Sequence, residues 1–197
     1  LNPDAQVSFG SDMQIVSGIS TEFSGDLSSK VARYRHAVFV ERLGWKLRTR
    51  DGAELDQFDR PDTVYLVAQG DDGRILGCAR LLPTTRPYLL GEVFPGLLNG
   101  LPVPCCPEVW ELSRFAAVDF DGRSAATAGI GSSTVAIGLL REAIHYAAAQ
   151  DAKRLITISP LGVERLLHRA GFHAHRAGPP TIIDGLPFLA CWIETIS

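Results

Sequence analysis

Arg35, Phe39, Trp45, Asp56, Asp59, Arg80, Glu111 and Arg114 carry the side-chain types a reaction site needs, and all lie within the first 114 residues. They run as R-x3-F-x5-W, then D-x2-D beginning eleven residues after the tryptophan, then an arginine in ILGCARLLP, and finally E-L-S-R-F. Guanidinium groups hold carboxylates in a fixed geometry, aromatic faces attract cations, and a positioned carboxylate can take a proton from a nucleophile. A lone D-x-x-D would mean little; the whole set at these spacings means more. Each residue also has an ordinary reading. Arg80 with Asp56 or Asp59 could be a structural ion pair, Trp45 and Phe39 core residues, and Glu111 a solvated strand carboxylate.

The surrounding sequence predicts the elements that would position them. Asp26 to Leu43 reads as an amphipathic helix capped by Asp26 or Ser28, with Val31, Tyr34 and Val38 at helical spacing and Arg35 and Phe39 on one face. The polar stretch from Gly44 to Arg60 reads as a loop carrying Trp45, Asp56 and Asp59, a natural site for a ligand pocket. TVYLVAQ and RILGCARLL read as strands joined by the hairpin turn Gly70-Asp71-Asp72-Gly73, so Arg80 projects from a strand. A Pro/Gly-rich crossing from Pro83 to Pro107 precedes the strand VWELSRFAAV. Strict alternation there puts Glu111, Ser113 and Phe115 on one face and Arg114 on the other, unless the strand is bulged or lines a split in the sheet.

The second half alternates helix and strand. Gly129-Ile130-Gly131-Ser132-Ser133 leads into a helix with the stripe Val135, Leu139, Ala143 and Ala147, and RLITIS is a short buried strand. Ser159 is expected to cap, and Pro160 to open, the helix LGVERLLHRA, which Gly171 stops; LPFLACWIE is the last strand. The pattern gives an α/β fold, one mixed sheet flanked by helices in a single domain spanning residues 1–197.

With 46% apolar and 21% charged residues the chain can bury a sizeable core, and its net charge of −3 gives no general bias toward nucleic acid or an anionic membrane. No apolar run approaches the length of a membrane span and no signal peptide is evident, so the expectation is a soluble, cytoplasmic protein. Cys78, Cys105, Cys106 and Cys191 form no C-x-x-C pair and find no histidines at zinc spacing, which argues against a metal. The adjacent Cys105 and Cys106 sit in the proline-flanked loop LPVPCCP.

The pattern from Arg35 to Arg114 resembles the signature of the acyl-homoserine lactone synthases, the bacterial autoinducer-synthase family, and the likeness runs from about Val31 to Ile193. The resemblance implies an acyltransferase fold related to the N-acetyltransferases. It also implies two substrates, S-adenosylmethionine and a fatty acyl thioester on acyl carrier protein, with no cofactor. The methionine amine would attack the thioester, and the methionine carboxylate would then displace methylthioadenosine to close a lactone.

That chemistry assigns roles. Arg35, Phe39, Trp45, Asp56, Asp59, Arg80, Arg114 and Phe115 would hold S-adenosylmethionine, with carboxylates or aromatic faces for its cations and arginine for its carboxylate. Arg35 and Arg80 either hold the substrate or brace the aspartates. Glu111 is the chosen proton acceptor, and backbone N–H groups near Ser113 and Arg114 are candidates for stabilising the oxyanion. By resemblance the acyl chain would lie along Leu155, Thr157, Ser159, Val163, Leu166 and Phe172, with the Thr157 hydroxyl suggesting chains oxidised at the third carbon. Thr157 and Ser159 have a plain alternative as satisfiers of backbone groups at a strand end and helix cap. Lys153, Arg154, Arg165, His168 and Arg169 form a basic cluster, either a docking face for an acidic carrier or a solvated helix face. The site so conceived requires Trp45, Asp56 and Glu111 around one cavity that opens to an apolar channel.

Two other functions stay open. A coenzyme A-dependent N-acyltransferase would use a loop such as Ala126-Thr127-Ala128-Gly129-Ile130-Gly131, in which alanine replaces the usual Arg or Gln. A non-catalytic acyl- or nucleoside-binding module would have no need of Glu111.

Overall fold

A computed structural model describes residues 7–8, 13–120 and 134–195. In chain order its elements are β1 (Val7–Ser8), β2 (Met13–Ile19), α1 (Gly25–Arg35), β3 (Thr49–Arg50), β4 (Ala53–Glu54), β5 (Val64–Gly70), β6 (Ile75–Pro83), α2 (Leu89–Val93), β7 (Val109–Ala116), α3 (Thr134–Ala149), β8 (Arg154–Pro160), α4 (Leu161–Arg169), β9 (Ala174–Arg176), β10 (Thr181–Ile183) and β11 (Leu186–Glu194). One sheet runs β1-β2-β5-β6-β7-β8-β11-β10, with β9 also on β11, and β3 and β4 form a separate hairpin. All of its pairings are antiparallel except that of β7 with β8. The expected α/β architecture is therefore present.

The central strands are covered on both faces, which is why β5 and β6 read as nearly continuous apolar runs. On one face Leu139, Leu140 and Ala143 of α3 and Leu166 and Leu167 of α4 pack against Leu66, Leu81, Leu112, Leu155 and Leu189. The opposite face carries two smaller clusters, one under α1 around Tyr34, Val38 and Phe39, the other beside α2 around Phe58, Leu82 and Leu90. A polar interval lies between them.

Two irregularities in β7 create that interval. Cys78 pairs with Ala116 but Arg80 pairs with Ser113, so β7 carries one extra residue there, and Arg114 takes a φ of 50° to accommodate it. The bulge corrects the simple alternation: Arg114 joins Glu111 and Ser113 on the α1/α2 face, while Phe115 packs with Leu112 on the α3/α4 face. The parallel ladder between β7 and β8 ends at Leu112 and Thr157, so the strands separate beyond it. Bulge and split, the two exceptions the sequence left open, both occur.

Other expectations change in detail. Ser24, not Asp26 or Ser28, caps α1 by accepting from Leu27 N, because its extended backbone precedes the first helical residue. The helix does not stay α-helical to Leu43: it widens into π-type turns over His36–Arg42 and ends at Gly44, whose φ is 70°. The stretch from Gly44 to Arg60 is not wholly loop, since Asp51 and Gly52 at φ of 53° and 73° turn the hairpin β3–β4. The crossing from Pro83 to Pro107 contains α2. Ser159 does not cap α4; Pro160 occupies that position and the Ser159 hydroxyl lies 3.2 Å from that of Thr157. Gly171 does stop the helix, at a φ of 80°. The glycine-rich segment at residues 126–133 lies outside the described residues.

The close seat of α3 on β6 depends on Gly77, where an added Cβ would lie 2.7 Å from Leu139 and 2.8 Å from the Ala116 carbonyl. We expect Gly77→Ala to destabilise the fold by about 1–3 kcal/mol, the cost of overpacking a close contact, as a lower denaturation midpoint at unchanged m-value.

Candidate active site

The sheet registers line up three side chains across neighbouring strands: Tyr65 of β5 opposite Arg80 of β6, and Arg80 opposite Ser113 of β7. α1 delivers Arg35 from one side, and the segment from β4 to Asp59 delivers Glu54, Asp56 and Asp59. Together three arginines and three carboxylates close an alternating ring. Arg35 Nε donates to Glu54 Oε2 at 2.7 Å, Glu54 Oε1 accepts from Arg114 Nη2 at 2.9 Å, and the same nitrogen donates to Asp56 Oδ2 at 2.8 Å. Arg80 Nη1 then joins Asp56 Oδ1 at 2.6 Å to Asp59 Oδ1 at 2.9 Å, and Asp59 returns to Arg35 through two bonds of 2.8 and 3.0 Å. Arg35, Glu54 and Arg80 are each at most 1% exposed. Burying six ions costs several kcal/mol each, and only their mutual pairing offsets it.

Further bonds fix the carboxylates. Asp59 also accepts from Tyr65 Oη at 2.5 Å and from Asp56 N at 2.6 Å, and Asp56 accepts from Phe58 N at 2.9 Å. Burial alone would push the Asp59 carboxyl up, but Arg35, Arg80 and the Tyr65 hydroxyl outweigh it and hold it well below the usual carboxylate range. Burial would likewise lower Arg35 and Arg80, yet the carboxylates beside them raise both. Tyr65 is pushed up by burial and then by Asp59, so it stays a neutral donor. Of the two roles open to Arg35 and Arg80, bracing the aspartates is the one their contacts describe.

Glu111 lies at the far end of the same face. Its oxygens accept from Leu89 N at 3.1 Å and Leu90 N at 2.6 Å at the start of α2, while Arg80 Nε donates to Ser113 Oγ at 3.1 Å between it and the ring. Burial raises the Glu111 carboxyl above its ordinary value, partly offset by the Leu90 amide, Arg80, the Leu89 amide and Ser113. A buried carboxylate tuned upward has the proton affinity a general base requires.

Where β7 and β8 separate, a small cavity of about 40 Å³ is lined by Phe39, Trp45, Ser113, Arg114, Phe115, Thr157, Ile158, Ser159, Pro160 and Val163. Trp45 stacks on Phe39 with centroids 5.0 Å apart and meets Phe188 of β11 edge-on, and the Arg114 guanidinium lies 5.7 Å over the Phe39 ring. Residues expected to hold the nucleoside substrate and residues expected to hold the acyl chain thus meet at one point. A larger cavity of about 770 Å³ on the other side of α1 touches Arg35 and Asp59 but includes neither Trp45, Arg114 nor Thr157. The smaller one has the stronger claim to the chemistry, because the two halves of the chain converge there.

The expectation of Trp45, Asp56 and Glu111 around one cavity is not met: of the three only Trp45 lines it. Asp56 contacts it through Arg114, and Glu111 is separated from it by Ser113. Leu155 and Leu166 are packed in the core with Phe172 against them: Leu155 shares a side of β8 with Thr157 and Ser159 but lies where the strand is still paired to β7, and Leu166 stands three residues beyond Val163 along α4. Of the basic cluster, Lys153 is paired with Glu108 and Arg154 lies 4.9 Å over Trp192, leaving Arg165, His168 and Arg169 on an exposed face of α4. The sequence reading missed Glu54 and Tyr65. Glu54 stands two residues before Asp56 in E-x-D, a strand spacing that was a usable signal, whereas Tyr65 comes opposite Arg80 only through a register shift between Ala68 and Gln69, since the turn alone would set it opposite Ala79.

The pattern of one family, Autoinducer synthase, matches residues 20–195. An acyl-homoserine-lactone synthase of Acinetobacter nosocomialis is 60% identical over 182 residues, covering 92% of this chain and all of that one. The structure of TofI in a ternary complex with an inhibitor and MTA superposes with a TM-score of 0.79 at 42% identity, over 92% of this chain and 91% of that chain. BjaI, a CoA-dependent acyl-homoserine lactone synthase with SAM and isopentyl-CoA, gives 0.79 at 30% identity over 92% and 82%. An N-acetyltransferase-like protein of Lactobacillus plantarum, 19% identical with a TM-score of 0.60, shares the fold alone.

Two outcomes follow from the ring. Glu54→Gln leaves Arg35 and Arg114 short of one negative charge, and we expect a stability loss of about 3–5 kcal/mol by denaturant titration, with partial recovery in Glu54→Asp. Because the folded-state value of Asp59 is depressed, its contribution is fully present above the ordinary carboxylate range and fades as pH falls toward the folded value; Glu111, raised by burial, acts with the opposite sign. Asp59→Asn should therefore flatten the loss of stability below about pH 4 seen in the parent protein.

Proposed function

This chain belongs to the autoinducer synthase family and is an acyltransferase of the acyl-homoserine-lactone synthase class, and from that premise we propose how its residues divide the reaction. S-adenosylmethionine sits at the split between β7 and β8, which must open well beyond its about 40 Å³ to admit it, with its sulfonium against Trp45 and Phe39 and its carboxylate toward Arg114. The acyl thioester enters from the α4 side along Thr157, Ser159 and Val163. The meeting of Trp45 and Arg114 with Thr157 and Ser159 around one cavity carries this reading.

N-acylation needs a free amine. Glu111 accepts its proton through Ser113, which borders the cavity and separates it from the carboxylate. Beyond Leu112 the edge of β7 no longer has β8 as a partner, so amide N–H groups near Ser113 and Arg114 can turn to the developing oxyanion. Lactone closure is intramolecular, and holding the carboxylate beside the sulfonium-bearing carbon supplies an effective molarity on the order of 10⁵ M or more. S-adenosylmethionine is consumed as a substrate and leaves as methylthioadenosine, so the scheme calls for no cofactor or metal.

We favour acyl carrier protein as the acyl donor, docking on the Arg165, His168 and Arg169 face of α4, in the cytoplasm where such carriers work. Acyl-coenzyme A is the second reading, favoured by the likeness to BjaI. Among the described residues no helix is long and apolar enough to cross a membrane.

Incubating purified protein with S-adenosylmethionine and matched carrier-protein and coenzyme A thioesters, with mass analysis, tests the proposal. Acyl-homoserine lactone and methylthioadenosine in equal amounts are expected, faster from the carrier thioester; amide without methylthioadenosine would refute ring closure. Glu111→Gln should keep S-adenosylmethionine affinity but slow turnover by about 10²–10⁴-fold, and unchanged turnover would remove Glu111 from the base role. Thr157→Val should lower the preference for 3-oxo over unsubstituted chains of equal length, read as a ratio of kcat/KM values.

A further inference from the structure

The four thiols divide sharply. Cys78 and Cys191 are buried in the sheet, and burial pushes them up to about 12 and about 11, so neither offers thiolate at neutral pH. Cys105 is exposed and the adjacent Cys106 half-exposed, in a loop flanked by Pro104 and Pro107. Thiols on consecutive residues, one exposed and one half-buried against the cluster around Leu82 and Leu90, can bond a single electrophile that no lone thiol would hold.

That loop is also wired to the candidate base. The peptide joining Cys105 to Cys106 donates its N–H to Thr84 Oγ1 at 3.3 Å, and Thr84 Oγ1 lies 2.9 Å from the Cys106 carbonyl oxygen. One residue earlier, the Pro104 carbonyl accepts from Tyr88 Oη at 2.7 Å. Tyr88 immediately precedes α2, and a methyl group at Gly91 of α2 would meet the Tyr88 ring at 2.9 Å and Val103 of the loop at 3.2 Å. The loop, Tyr88 and α2 are therefore packed as one piece, and this piece presents the Leu89 and Leu90 amides to Glu111.

We propose that Cys105 and Cys106 form a two-thiol modification site for electrophiles that bond both sulfurs at once, trivalent arsenic being the simplest, and that closing this site loosens α2 from Glu111. With an arsenic(III) oxide, both S–H bonds and the arsenic–oxygen bond break, two arsenic–sulfur bonds form, and the oxygen leaves as water with the two protons. Arsenic keeps its oxidation state, so no oxidant or reductant is needed. The new ring encloses the Cys105–Cys106 peptide and turns it, which draws its N–H away from Thr84 and the Pro104 carbonyl away from Tyr88. The effect on catalysis rests on the role given to Glu111 above; the site and the loosening of α2 do not.

Phenylarsine oxide provides the probe. One adduct per chain is expected by intact mass, absent from the Cys105→Ser/Cys106→Ser double variant, whose untreated turnover should match the parent. In the adduct, hydrogen exchange at Leu89 and Leu90 should quicken by about tenfold as the amide bonds to Glu111 open more often. Lactone synthesis should slow about tenfold, the scale of one lost bond to a buried carboxylate, and recover with excess dimercaptopropanol. Labelling at Cys78 or Cys191, or a clean adduct on the pair with exchange at Leu89 and Leu90 unchanged, would overturn the proposal. Faster exchange with turnover unchanged would uphold the site and instead remove Glu111 from the reaction.

Discussion

The alternating ring of Arg35, Glu54, Arg114, Asp56, Arg80 and Asp59 is the constraint on which the rest of the site depends. Its three positive and three negative charges cancel, and that cancellation lets six ions persist beneath α1 and beside the apolar clusters. Every member comes from a different stretch of backbone or a different turn of one. The ring therefore ties α1, the β3–β4 hairpin and the strands β6 and β7 into a single frame, and a change in any one partner is felt by its two neighbours.

The frame also explains how a strained residue is kept in place. Arg114 sits at a φ of 50° on the β7 bulge, a conformation disfavoured for a residue with a side chain. Glu54 and Asp56 grip its guanidinium from one side and the Phe39 ring lies beneath it. The bulge in turn places Arg114 and Phe115 on opposite faces beside the split with β8. One local distortion thus presents a guanidinium to the α1 face and an aromatic ring toward α4.

Much of this was legible in the sequence, and the gaps have physical causes. The hairpin β5–β6, the strand β8, the helices α3 and α4 and the last strand follow from periodicity and from Gly73 and Gly171, since those signals are local. The faces of β7 were not predictable by alternation, because a bulge is set by the partner strand's register and not by the strand's own residues. The core position of Leu155 has a related cause, since how far along β8 the split begins depends on where its ladder with β7 ends, and Leu155 lies within that ladder. Asp59 was read as a ligand for a cation, yet its oxygens are occupied by Arg35, Arg80, Tyr65 and the Asp56 amide. Sequence supplied five of the six members and offered Arg80 with Asp56 or Asp59 as a pair; the fold adds Glu54 and closes the ring.

A crystal structure with methylthioadenosine bound would test the central claim most directly. The nucleoside is expected between Trp45 and Arg114 at the separation of β7 and β8, with the six-membered charge ring intact behind it. Density for it in the larger cavity beyond Arg35, or a ring opened so that Asp59 contacts the ligand, would contradict that claim.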